Sequence, residues 1–87
     1  MAKFIAVHTL PTVTEENVKG MIEQVTKAIP NGFTWVQTYG DFANHKFFCE
    51  WEAPSKDALE QSLKAMNAPF EAVYPVKLYN VAKKKFV

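Results

Sequence analysis

The chain has 87 residues, 48% apolar and 22% charged, the proportions of one ordinary globular domain, expected to span residues 1–87. Ten lysines oppose nine acids, for a formal net charge of +1, which excludes strong bulk attraction to nucleic acid or to an anionic membrane. Arginine is absent and Cys49 is the lone cysteine, which excludes bidentate guanidinium chemistry, an internal disulfide and clusters held by several cysteines.

Lys3 to Thr9 is short, rich in β-formers and stopped by Pro11, so it predicts a strand. Thr12 and Thr14 both suit a helix N-cap, and Thr12-x-x-Glu15 has the capping-box spacing. Val18, Met21, Ile22, Val25, Ala28 and Ile29 then recur at helical intervals, and Pro30-Asn31-Gly32 ends the helix. Phe33 to Tyr39 predicts a second strand, Gly40 to His45 a hairpin connection, and Lys46 to Glu52 a third strand. Ser55 caps a second helix, whose inner stripe is Ala58, Leu59, Ser62, Leu63 and Met66 and which Asn67-Ala68-Pro69 breaks. Ala72 to Val81 predicts a last strand, placed at a sheet edge by Pro75. Lys83-Lys84-Lys85 reads as a frayed, solvated tail. The order βαββαβ predicts an α+β, ferredoxin-like sandwich with antiparallel strand order 4-1-3-2 and both helices on one face.

Alternation divides the strands into two faces. Ile5, Val7, Val36, Phe47, Cys49 and Trp51 form an apolar set expected beneath the helices. Phe4, Ala6, His8, Phe33, Trp35, Gln37, Tyr39, Phe48, Glu50 and Glu52 form the set expected on the open face. Several aromatic rings left in water make a patch larger than a monomer ordinarily tolerates. A second copy packed face to face would cover it, giving a homodimer of the α/β-barrel kind with a partly polar cavity between the sheets.

On that face His8, Glu50 and Glu52 are the candidate metal ligands, one imidazole and two carboxylates being a plausible set for a borderline divalent ion. Trp35, Gln37, Tyr39 and Phe48 are the candidate ligand-binding residues. His45, in the hairpin loop, is expected to be solvated. Cys49 is expected to be a small, inert, buried side chain. The third strand carries aromatics but two acids and no glycine, which argues against RNA recognition. No phosphate-binding glycine loop, nucleophile elbow or paired-ligand metal motif occurs. No segment reaches the ~20 apolar residues of a membrane span, and the apolar run before His8 is too short for a secretory signal. With a free thiol, these features predict a cytoplasmic protein.

Lys3-Phe4-Ile5 with Leu10-Pro11, Trp35-Val36 with Tyr39, Phe48-Cys49 with Glu52-Ala53-Pro54, and Pro69 before Val73 together resemble a family of small bacterial ferredoxin-like proteins of unknown function. One branch of that family is called nickel-responsive or nickel-binding, and the resemblance spans residues 2–76. It implies the same βαββαβ fold, dimerisation and nickel as a candidate metal. Members of that family carry a histidine two residues after the tryptophan and another in the second helix, where this chain has Gln37 and Ser62, poorer nickel ligands than imidazole.

Three functions follow from these residues. The first is a dimeric binding protein that holds a divalent metal, such as nickel, or a small ligand on the open sheet face. The alternative is a cofactor-independent monooxygenase or isomerase, with His8 or Glu50 as base and Tyr39 or Trp35 orienting the substrate. The third is an interaction protein whose aromatics only build an interface.

Overall fold

Strand β1 (Ala2–Thr9), helix α1 (Glu15–Thr26), strands β2 (Thr34–Asp41) and β3 (Lys46–Ala53), helix α2 (Lys56–Ala65) and strand β4 (Ala72–Val76) follow one another in the predicted order in a computed structural model describing residues 2–87. Thr14, not Thr12, caps α1: its hydroxyl accepts from the Asn17 amide at 3.1 Å, and Glu15 and Glu16 sit at the positive end of the helix. Ser55 caps α2 in the same way, accepting from the Ala58 amide at 3.1 Å. The four long strands form one antiparallel sheet in the order β2-β3-β1-β4, the expected arrangement read from its other edge. Pro75 lies on the edge strand β4, where its missing N–H costs no ladder bond.

The last strand is shorter than the sequence predicts. It ends at Val76, and the chain then folds back as a small hairpin of β5 (Tyr79–Asn80) and β6 (Lys85–Phe86). Lys83, Lys84 and Lys85 are therefore not a frayed tail. The Lys83 amide donates to the Asn80 side chain at 2.9 Å, the Val87 amide donates to the Leu78 carbonyl at 2.9 Å, and Tyr79 meets Phe86 edge to face at 5.1 Å.

The register decides which residues are interior. Ala6 stands opposite Cys49, Phe4 opposite Trp51 and His8 opposite Phe47, and directly opposite residues share a face. Phe4, Ala6, Phe47, Cys49, Trp51 and Val73 are buried with Leu59 and Leu63 of α2. The parity of β1 is thus the reverse of that expected: Phe4, Ala6 and His8 lie beneath the helices, and Ile5 and Val7 are half-buried on the open face. The physical reason is Lys3. It shares its face with Ile5 and Val7, so turning those two inward would put an ammonium group under the helices, where an unpaired charge is costly. Outward, Lys3 reaches the acids of β3.

A second departure lies in β2. Trp35 pairs with Trp51, Gln37 with Glu50, and Val36 is the extra residue of a bulge between them. The bulge breaks the alternation. Trp35 turns inward to stack on Trp51 with centroids 5.2 Å apart and planes 10° apart, while Val36, expected inside, is exposed. Phe33, also expected on the open face, packs against the core instead.

Candidate functional site

The open face of the sheet carries a polar cluster bounded by rings. Lys3 of β1, Glu50 and Glu52 of β3 and Gln37 of β2 project from it because their registers pair Gln37 with Glu50 and Lys3 with Glu52. The Lys3 ammonium lies 2.8 Å from one Glu50 oxygen and 3.6 Å from Glu52. Gln37 Nε2 donates to the other Glu50 oxygen at 2.9 Å and contacts the Tyr39 hydroxyl at 3.0 Å. Lys3 first, and then Gln37, hold the Glu50 carboxyl below its ordinary range, and Glu50 in turn raises the Lys3 ammonium. Glu50 is therefore a charged, hydrogen-bonded group at neutral pH, although it is only 7% exposed. Around it Tyr39, Phe48 and Tyr74 remain 60%, 39% and 55% exposed.

Of the expected ligand-binding residues, Gln37, Tyr39 and Phe48 share this face, whereas Trp35 does not, because the bulge sends it inward. Of the expected metal ligands, Glu50 and Glu52 share it and His8 does not. His8 lies beneath the helices, where its Nδ1–H donates to the Pro69 carbonyl at 2.5 Å. The three were expected on one face, with Glu50 within about two rungs of His8; the inverted parity of β1 puts the sheet between His8 and the two acids. Among the described residues no group of three or more His, Cys, Asp or Glu side chains converges as a metal site. The position beside Glu50 and Glu52 that a cation would take already holds the Lys3 ammonium. A nickel centre built from His8, Glu50 and Glu52 of one chain does not fit this geometry. His45 is not simply solvated either: it is half-buried at φ 59°, its carbonyl accepts from the Leu10 amide at 3.0 Å, and its Nδ1 is buried without a partner.

The other side of the sheet holds a pocket of about 110 Å³ between α1, the end of α2 and the strands. Val18, Ile22 and Val25 of α1 face it, and none of the residues of that helix is fully buried. A short chain of hydrogen bonds runs along its sheet wall: Trp35 Nε1 donates to Thr38 at 2.8 Å, and the Thr38 hydroxyl donates to the Cys49 sulfur at 3.2 Å. Cys49 is buried, as expected, and burial pushes its thiol up against the smaller opposing effects of Thr38 and Trp35, which favours the thiol over the thiolate.

Lys3, Thr38 and Trp51 are the residues that sequence reasoning did not assign to either site. Lys3 carried a usable signal, since a lysine alternating with Ile5 and Val7 marks their face as the wet one. Trp51 lies beneath the helices as its alternation predicts, and Thr38 shares the inward parity expected from Val36, but nothing in either residue marked it as more than packing.

A family model described as nickel responsive protein SCO4226-like matches residues 4–76. No curated protein and no solved structure matches the chain. No helix among the described residues is long and apolar enough to cross a membrane.

Proposed function

The chain belongs to the SCO4226-like family of nickel-responsive proteins, and from that premise we propose that it is a ferredoxin-like, cytoplasmic binding protein that works as a homodimer closed over the open sheet face. The observation that carries this reading is the pairing of a buried Glu50, held by Lys3 and Gln37, with exposed Tyr39, Phe48 and Tyr74 on the same uncovered surface. A second copy laid on that surface removes the rings from water, a favourable term of about 25 cal/mol per Å² of apolar area. It also encloses Lys3, Glu50, Glu52 and Gln37 as the polar lining of a chamber between two sheets, suited to a small polar ligand with both donor and acceptor groups.

The family description supports a response to nickel without supplying the ligands. Glu50 and Glu52 are the donors this face offers, and an ion there must displace Lys3 or draw further donors from the second copy. The monooxygenase or isomerase reading loses its support. Glu50 is held ionised by Lys3, its carboxyl pulled down rather than up, and His8 and Trp35 face away from the chamber.

Sedimentation equilibrium of the wild type and of Phe48→Lys tests the assembly. The wild type should be a dimer at micromolar concentration, and Phe48→Lys a folded monomer with an unchanged circular dichroism spectrum. A wild type that stays monomeric across the concentration range, or a variant that stays dimeric, would overturn the reading.

A further inference from the structure

The charge of the chain is unevenly placed. Residues 77–87 hold four lysines and no acid, leaving six lysines against nine acids before them, so the net +1 is a basic end of +4 on a body of −3. That end is the β5–β6 hairpin with its lead-in. The ion pairs among the described residues use Lys3 and Lys46, so the hairpin's lysines are not neutralised by the body. We infer that this hairpin is a peripheral anchor for an anionic lipid bilayer. Tyr79, Val81 and Phe86 sit in the headgroup boundary, and Lys83 and Lys84 meet the headgroups. Such an anchor does not depend on what fills the open face.

The geometry separates a root from a tip. Leu78 and Val87, at the root, line a groove with Ala2 and Pro75 at the sheet edge. Tyr79 stands opposite Phe86, and their rings meet edge to face on one side of the ribbon. At the far end Val81, in the turn, is 78% exposed, and Phe86 beside the turn is 65% exposed. The turn itself is built: the Lys83 amide donates to the Asn80 side chain at 2.9 Å and the Lys84 amide to the Val81 carbonyl at 3.3 Å. Lys84 stands at φ 55°, a left-handed position that favours glycine or asparagine. A lysine there keeps a charge at the tip at a conformational cost. A two-stranded hairpin this short is marginal alone in water, and its exposed rings and valine add nothing until they are covered.

Charge and shape together select a bilayer as the cover. Phenyl and phenol rings settle at the headgroup level of a membrane, and lysine stems lie along apolar surface while their ammonium groups reach outward. Charges farther off than a Debye length of about 8 Å are largely screened at physiological salt, so a surface meeting the tip meets the lysines first. Nucleic acid fits less well. Its bases need open ring faces to stack on, whereas these two rings are set against each other at 77°. The hairpin of a second copy is excluded as the cover by its like charge.

Cosedimentation of the whole chain with vesicles, at physiological salt, tests the anchor. The wild type should bind vesicles of mixed phosphatidylcholine and phosphatidylserine and should not bind phosphatidylcholine alone. Each lysine near an anionic surface strengthens binding about fivefold, so Lys83→Ala with Lys84→Ala should weaken it roughly twenty- to thirtyfold. Val81→Asn, which leaves the charge unchanged, should weaken it about tenfold by removing apolar insertion. The inference fails if the wild type ignores the mixed vesicles, or if Val81→Asn binds them as tightly as the wild type. It fails equally if a short RNA displaces the protein from the vesicles by occupying the hairpin, or if Val81→Asn turns a dimer into a monomer in sedimentation equilibrium. The wild-type comparison of the two vesicle types needs no variant, so a misfolded substitution does not obscure the answer.

Discussion

Lys3 and Glu50 give the sharpest stability test, because the reversed parity of β1 is what brings them together. A charge-assisted hydrogen bond contributes about 1.5–3 kcal/mol when shielded, and an exposed ion pair about 0–1 kcal/mol. With side-chain exposures of 19% for Lys3 and 9% for Glu50, this pair lies between, and a coupling of about 1–2 kcal/mol is expected. The cycle is Lys3→Met, Glu50→Gln and the double variant, unfolded in urea at one fixed protein concentration. Lys3→Met is the costliest single change, since it leaves the Glu50 carboxylate with Gln37 alone as donor. With a slope of about 1 kcal/mol per molar urea for so small a domain, the midpoint should fall by roughly 1–2 M. The double variant should recover part of that loss. The pH dependence fixes the sign. Glu50 titrates below its ordinary 4.5 in the folded chain, so its contribution is present above that pH and is lost as pH falls through the folded value. Lys3 titrates above its ordinary 10.5, so its contribution is present below that pH and is lost as pH rises through the folded value. The coupling should therefore be full between about pH 5 and pH 10 and vanish on either side. A coupling under about 0.3 kcal/mol at pH 7, within the additivity of distant sites, would refute the placement of Lys3.

Two glycines should respond oppositely to alanine. A Cβ on Gly20 of α1 meets nothing within 4 Å, so Gly20→Ala should stabilise by about 0.5–1 kcal/mol, seen as a Tm several degrees higher. A Cβ on Gly40 lies 2.9 Å from Phe47 Cε1, and Phe47 is itself buried against His8's strand; Gly40→Ala should cost about 1–3 kcal/mol through overpacking. In calorimetric titration with nickel, His8→Ala should match the wild type, because His8 faces away from Glu50 and Glu52; a loss of heat confined to that variant would restore His8 as a ligand.

Much of the fold was legible because its signals are local. Thr14 and Ser55 cap where short polar side chains should, Pro75 marks an edge, and the stripe containing Leu59 and Leu63 is buried as a helical period requires. The site was less legible because it depends on parity, and parity is a relation between strands. The six residues Phe4 to Thr9 are nearly as apolar on one face as on the other, so Ile5 and Val7 looked like core while Phe4 and Ala6 are the core. A one-residue change of pairing moves every side chain to the opposite face, and His8 was carried with its neighbours. Residues 78–87 were missed for a different reason: a hairpin of two-residue strands has too few alternations to register as a period.

The bulge at Val36 offers the most direct check on how the two sites come to lie on opposite sides of one strand. Trp35 belongs to the interior pocket and Gln37 to the open face, although they are two residues apart and simple alternation would place them together. Val36 is the extra residue that separates them. Deleting it should close the ladder so that Trp35 still meets Trp51 and Gln37 still meets Glu50, now as consecutive pairs. The stacked indoles should keep their exciton couplet in circular dichroism, and Gln37 its hydrogen bond to Glu50. Deleting Thr38 instead should turn Tyr39 inward opposite Cys49 and remove the acceptor of the Trp35 N–H, with loss of cooperative unfolding. If removing Val36 unfolds the chain while removing Thr38 leaves the couplet intact, the bulge is not what sorts these side chains, and both assignments built on it fall together.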